Sequence, residues 1–242
     1  MPVILFVLVS FILSIHQQVR SQSSTCTLTE PDILGPYWLD GAPKKTDDLC
    51  DNLPTFDVLI LTGRIVDFDS KCKRGIKNVN LDVWQANYNG VYSSGRSSND
   101  WFCRGVLHSD DNGYFKIFTL FPGRYDDGGY RPAHIHFNIT ASGYPQLITQ
   151  LYFEKDVYLA PFDSCEQCHS DSESLITSVR HVHDIKTFEG NWQIVLSKKF
   201  HPRIVTKTSL SRGSYIDVKQ HTMPNHDRTS SREHNTMKFR QG

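Results

Sequence analysis

What most constrains this chain is a series of short β-prone runs, each cut off by turn chemistry. They occupy residues 58–67, 79–86, 114–120, 134–140, 146–153 and 192–196. Each is rich in Val, Ile, Leu, Phe or Tyr and of strand length, and polar, Gly- or Pro-containing stretches separate them. Asp111-Asn112-Gly113 reads as a hairpin turn, because glycine supplies the positive φ that a tight reversal requires. Only residues 172–183 suggest a helix, with Leu175, Ile176, Val179 and Val182 at helical spacing. Many strands and little helix predict an all-β fold: an antiparallel β-sandwich of short strands with long loops. At 242 residues the chain is long enough to bury one sizeable core. There is no internal repeat, Gly-rich phosphate loop or serine-hydrolase elbow.

Composition shifts divide the chain. Residues 3–15 are almost wholly apolar, too short for a membrane span of about 20 residues and right for a signal-peptide core. Val19 and Ser21 suit cleavage before Gln22, so residues 1–21 are read as a signal peptide and the protein as secreted. An irregular arm at 22–55, rich in Ser, Thr, Pro and Asp, precedes the strand-bearing domain at 56–200. The segment 201–242 carries eight Lys/Arg against three Asp/Glu, has few large apolar residues, and is expected to be a mobile basic tail. The body between leader and tail holds 17 basic and 23 acidic residues, a net charge of −6 that argues against a nucleic-acid partner. No membrane partner is expected either.

All six cysteines lie beyond the leader: Cys26, Cys50, Cys72, Cys103, Cys165 and Cys168. An even set in a secreted chain argues for disulfides, with Cys26–Cys50 a plausible pair pinning the arm. Cys165-x-x-Cys168 reads as a structural disulfide, since a thioredoxin-like role would need a βαβ context. Zinc binding with His181 and His183 fits poorly, because those histidines lack the usual spacing.

The chemistry concentrates in four residues. His134 and His136 lie two apart on a β-prone run and so project to one face. Tyr92 closes the turn-like NGVY, and Tyr125 closes FPGRY. A His-x-His pair alone is more often a satisfied polar pair. With two phenol oxygens the set becomes two nitrogens and two hard oxygens, which suits a highly charged ion, above all iron(III).

Three blocks carry a resemblance: LDVWQANYNGVYS (81–93), CRGVLHSDDNGYFKIFTLFPGRY (103–125) and RPAHIHFNITASGYPQLITQLYFEKD (131–156). LGPYWLDG (34–41) matches more weakly. Over roughly 34–196 the chain resembles an intradiol ring-cleavage dioxygenase of the catechol and protocatechuate class, in a short single-domain form. The resemblance implies one non-haem iron(III) per chain, held by Tyr92, Tyr125, His134 and His136, with Tyr125 the ligand that departs when substrate binds and takes a proton with it. It assigns Arg131 to stabilising the polarised substrate and Gln150 to orienting oxygen or solvent. It places Pro36 and Tyr37 along the pocket; Trp84 and Phe137 are read as core. The substrates implied are small catechols and O2, opened between the hydroxyls to muconate-type diacids, by a monomer that has no room for the helical dimerisation domain of the catechol branch. The short polar loop at 126–129 should leave the metal open and substrate tolerance broad. The alternative is a non-catalytic secreted β-sandwich that binds metal or phenolics. Asn138 opens a glycosylation sequon but is expected to face the interior beside His136 and stay unmodified.

Overall fold

A computed structural model describes residues 26–50, 57–97, 100–182 and 186–200. The leader and the segment 201–242 lie outside the described residues. Eleven strands follow in order: β1 Val58–Asp67, β2 Asn80–Gln85, β3 Arg104–His108, β4 Tyr114–Leu120, β5 Tyr125–Asp126, β6 Tyr130–Arg131, β7 His134–Thr140, β8 Leu147–Phe153, β9 Ile176–Thr177, β10 Val179–Val182 and β11 Thr187–Leu196. Two 3₁₀ turns, Phe68–Ser70 and Glu173–Leu175, are the only helical pieces among the described residues.

One sheet has the order β3-β2-β7-β8-β9, a second has β10-β11-β1-β4, and β5-β6 form a small hairpin. The all-β sandwich class holds. Its pairing is mixed rather than purely antiparallel, because β11 runs parallel to β1 along its whole length and β9 runs parallel to β8. Parallel neighbours need long connections, and nearly the whole domain lies between β1 and β11. The alternation that marked the runs as strands also fills the core. Leu59, Leu61 and Ile65 of β1, Ile135, Phe137 and Ile139 of β7, and Ile194 of β11 are fully buried in one cluster. Each such side chain contributes about 1.5–3 kcal/mol when taken from water.

The residues predicted as a helix at 172–183 instead make the turn at Glu173–Leu175, then β9 and β10; His183 lies outside the described residues. This stretch crosses between sheets: β9 joins β8, and β10 joins β11. Apolar residues recur at a helix-like interval because each short piece fills a different corner. The Asp111-Asn112-Gly113 turn is present but is not a hairpin. Asp110 Oδ1 accepts from the backbone N–H of Asn112 and Tyr114, both at 2.8 Å, and Gly113 sits at φ +83°. The strands it joins, β3 and β4, belong to different sheets. Turn chemistry is local; the choice of partner is not.

The arm is tied down along the body. Thr29 N–H donates to the Val195 carbonyl and Asp32 N–H to that of Ile148. Further on, Pro43 and Lys45 bond to Val106 of β3, while Asp47 and Leu49 bond to Phe118 of β4. This closes one open edge of each sheet. The disulfides are Cys26–Cys72, Cys50–Cys103 and Cys165–Cys168. The expected Cys26–Cys50 bond does not form, because each end of the arm is fastened to the body beside it: Cys26 to Cys72 in the turn after Phe68–Ser70, Cys50 to Cys103 just before β3. With Cys165 and Cys168 joined to each other, the zinc reading has no thiolates left. Asn138 shares the histidine face, which points away from the sandwich core; it is half-buried, and its Oδ1 accepts from Gln146 Nε2 at 2.7 Å.

Candidate metal centre

Strand β7 does two jobs by parity. Odd positions enter the core, while His134 and His136 project from the outer face of the five-stranded sheet. Cross-strand pairing fixes their neighbours: His134 faces Tyr152, and His136 lies between Trp84 and Gln150. Trp84 stacks on His136, with centroids 4.8 Å apart and planes 6° apart. The arm passes over the other side at Gly35, whose φ is +72° and where a Cβ would come within 3.2 Å of the His136 ring. Glycine is what lets the backbone lie on the imidazole.

Tyr92 is aimed by its own loop. Asn87 Oδ1 accepts from Asn89 N–H at 2.9 Å and Val91 N–H at 3.0 Å, an Asx-type turn, and Gly90 takes φ +78°. The Tyr92 hydroxyl then lies 3.2 Å from the Nε2 of both histidines, which are themselves 3.1 Å apart. Tyr125, opening β5, comes in edge-on, its centroid 5.6 Å from those of Tyr92 and His134. Tyr37 of the arm stacks on Tyr92 at 4.3 Å and meets Tyr125 edge-on at 5.9 Å. Pro36 is exposed beside it.

His134 Nδ1 lies 2.6 Å from the Pro132 carbonyl, which can only accept. Its proton therefore sits on Nδ1 and its Nε2 lone pair faces the cluster. Burial, helped by the Arg131 charge, pushes the His134 pKa down to about 3; burial first, then His134, Arg131 and Arg104, holds that of His136 well below its ordinary value. Both rings are neutral, as a ligand must be. Burial raises the pKa of both tyrosines, most of all Tyr92, so the metal-free site keeps its phenols protonated. Tyr92 has one hydroxyl proton for two imidazole nitrogens, and the buried His136 Nδ1 has no partner. A cation between the two Nε2 atoms and the phenol oxygen would satisfy those lone pairs, leaving His136 to carry its proton on Nδ1, so the set fits a hard metal ion. Among the described residues no group of three or more His, Cys, Asp or Glu could hold a metal. Here the tyrosine oxygens have to complete the set.

Arg131 and Gln150 lie beside this cluster, in a buried network. Arg131 Nε donates to Asp163 Oδ1 at 2.9 Å, and its Nη2 reaches Gln150 Oε1 at 3.1 Å and the Tyr152 hydroxyl at 3.2 Å. Gln150 Nε2 donates to the arm carbonyl of Ile33 at 2.9 Å, so both ends of the amide are engaged. Tyr152 donates to Asp32 Oδ2 at 2.8 Å. Although burial works against it, the pKa of Arg131 is raised by Tyr152, Asp163 and Tyr125, and the guanidinium stays charged. Sequence reasoning missed Tyr152, Asp163 and Asp32. Period-two spacing from Gln150 pointed at Tyr152; nothing local marked the two carboxylates, which arrive from a distant loop and the arm.

A dioxygenase family model (Dioxygenase_C) matches residues 33–198. The chlorocatechol 1,2-dioxygenase of Cupriavidus pinatubonensis is 33% identical over 168 residues, covering 61% of this chain and 62% of the relative. The hydroxyquinol 1,2-dioxygenase of a Rhizobium species is 29% identical over 175 residues, covering 64% and 57%. This chain thus spans less than two thirds of the length of these relatives. Among solved structures, the 3-chlorocatechol 1,2-dioxygenase of Rhodococcus opacus superposes with a TM-score of 0.61 at 28% identity, covering 72% of this chain and 74% of that one.

Proposed function

Because this chain belongs to the intradiol ring-cleavage dioxygenase family, we propose that it is a secreted non-haem iron(III) enzyme. It opens catecholic rings between their two hydroxyls with O2, giving muconate-type diacids. The observation that carries this reading is the convergence of two neutral imidazoles and two phenols on one point beside a buried, permanently charged arginine. Tyr92, Tyr125, His134 and His136 would hold the metal. Bound there, iron(III) supplies the Lewis acidity that draws electron density from a catecholate and opens a ring carbon to O2.

The chain's own residues do the rest. Tyr125, paired across β5–β6 with Arg131, would hold the metal at rest and would be the phenol placed to accept a proton from a substrate hydroxyl. Arg131 stabilises the negative charge that the ring then carries. Gln150 links Arg131 to the arm. Tyr37 and Pro36, on the arm, border the space a ring would occupy, and Trp84 backs His136 from below. The loop between β5 and β6 is short and its residues Asp127, Gly128 and Gly129 carry no large side chain, which favours a range of substituted catechols.

Oxygen uptake on adding catechol is the direct test, with one O2 consumed per ring and cis,cis-muconate carrying both oxygen atoms as product. A yellow semialdehyde, from cleavage beside the diol, would overturn the intradiol assignment. Coloured iron protein that binds catechol without consuming oxygen would favour a non-catalytic phenolic-binding role.

A further inference from the structure

The Arg131 network ends in a segment that the mechanism above does not use. Asp163 is the carboxylate bonded to Arg131, through Oδ1 at 2.9 Å from Nε and Oδ2 at 3.4 Å from Nη2, and both side chains are buried. The guanidinium's other contacts, with Gln150, Tyr152 and the Tyr125 phenol, are to side chains uncharged in the metal-free site. Neutral partners satisfy donors; a fixed anion sets which way a buried planar cation points. Asp163 is itself fixed. Its Oδ1 also accepts from Cys165 N–H at 2.9 Å, and the next residue, Ser164, donates its N–H to the Tyr130 carbonyl at 3.1 Å, aligning the segment with β6 one residue from Arg131.

The same segment grips the network's far end. Beyond the Cys165–Cys168 disulfide, His169 N–H donates to Asp32 Oδ2 at 3.1 Å and its Nδ1 to the Pro31 carbonyl at 3.0 Å. Asp32 in turn accepts from Tyr152, which touches Arg131. Residues 163–169 therefore hold both carboxylates' contacts, with a covalent clip between them, while Cys168 is fully buried.

We propose that Asp163 is a positioning residue that aims the Arg131 guanidinium at the bound catechol, and that the Cys165–Cys168 clip holds Asp163 for that task. This rests on the dioxygenase reading and deepens it. Without the anion, Arg131 keeps its charge but loses its direction. The cost then falls on the reacting complex rather than on the resting metal site, which Asp163 does not touch.

Asp163→Asn, nearly isosteric but uncharged, is the first variant, measured beside the wild type and Asp163→Glu. The expected result is a kcat about 10- to 100-fold lower with iron content and resting visible band close to wild type; the melting temperature should fall, because the buried Arg131 charge loses its counter-ion. The band of the catechol complex should be altered, and Asp163→Glu should recover part of kcat. Cys165→Ser/Cys168→Ser should lower kcat in the same direction by less. Wild-type kcat in Asp163→Asn would overturn the proposal, and so would parallel loss of iron and activity, which marks a merely structural ion pair. Should Asp163→Asn fail to fold, the cysteine variant decides, since it keeps both charges: an unchanged kcat there overturns the proposal. Wild-type protein that takes up no oxygen with catechol sinks the dioxygenase reading itself, an outcome distinct from a variant that matches an active wild type.

Discussion

Tyr92 gathers most of the site's contacts: two imidazole nitrogens within 3.2 Å of its hydroxyl and the Tyr37 ring on its face. Tyr92→Phe keeps the stack and removes only the oxygen. It should bleach or shift the visible band of the iron protein and lower iron affinity or turnover about 10- to 100-fold; an unchanged band would take Tyr92 out of the ligand set. The histidines give a pH signature that needs no metal. His134 titrates near 3 in the folded chain against an ordinary 6.5, and His136 is displaced the same way. Between those values the unfolded chain binds more protons, so iron-free protein should lose stability as pH falls from about 6.5 toward 3. Asp32, whose pKa burial raises, pulls weakly the other way at the acid end. Melting temperatures of iron-free protein should drop from pH 7.5 to 5.5, and a flat profile would contradict neutral buried imidazoles. The four ligand-type residues were legible because strand parity and two turn motifs aim them from nearby sequence. Asp163 and Asp32 were not, since only the fold brings the first to Arg131 and the second to Tyr152 beside it.

At the level of elements, most strands were legible from their alternation: β1, β4 and β7 keep the bounds read from sequence. What escaped depends on partners. β3 was overlooked because its run of five residues mixes Arg and His with apolar positions, and β9–β10 passed for a helix because they serve two sheets. The arm is the largest gain from structure. Regular patterning is absent there, yet its backbone seals two sheet edges and its Gly35 and Tyr37 roof the site. Gly35→Ala adds a Cβ at φ +72° and 3.2 Å from His136. It should cost about 1–2 kcal/mol and perturb the visible band, where a band identical to wild type would show the arm stands clear of the ligand. Opening Cys50–Cys103 by double serine substitution should destabilise by about 2–4 kcal/mol and loosen iron retention, as followed by chelator competition. Loss of stability with iron retention unchanged would separate the arm's anchoring from the site.

For the whole molecule, apolar content predicts where the fold ends. The segment from 201 onward has few large apolar residues and no sustained pattern of them, so truncation after Leu210 should leave melting temperature and catechol turnover intact; a marked loss of either would mean the tail docks. The body is a sandwich whose interior contains none of the proposed chemistry. Along β7 the residues that hold the two sheets together alternate with those that face the metal. Evolution can therefore treat the two faces as separate ledgers: the arm, the Tyr92 loop and the β5–β6 loop can exchange side chains to suit new phenols while the interior that sets the melting point stays untouched. The same parity is unforgiving of length. Inserting one residue into β7 would turn both imidazoles inward and bring Phe137 to the metal face, so this strand should tolerate substitution of its neighbours far better than any change in its own spacing.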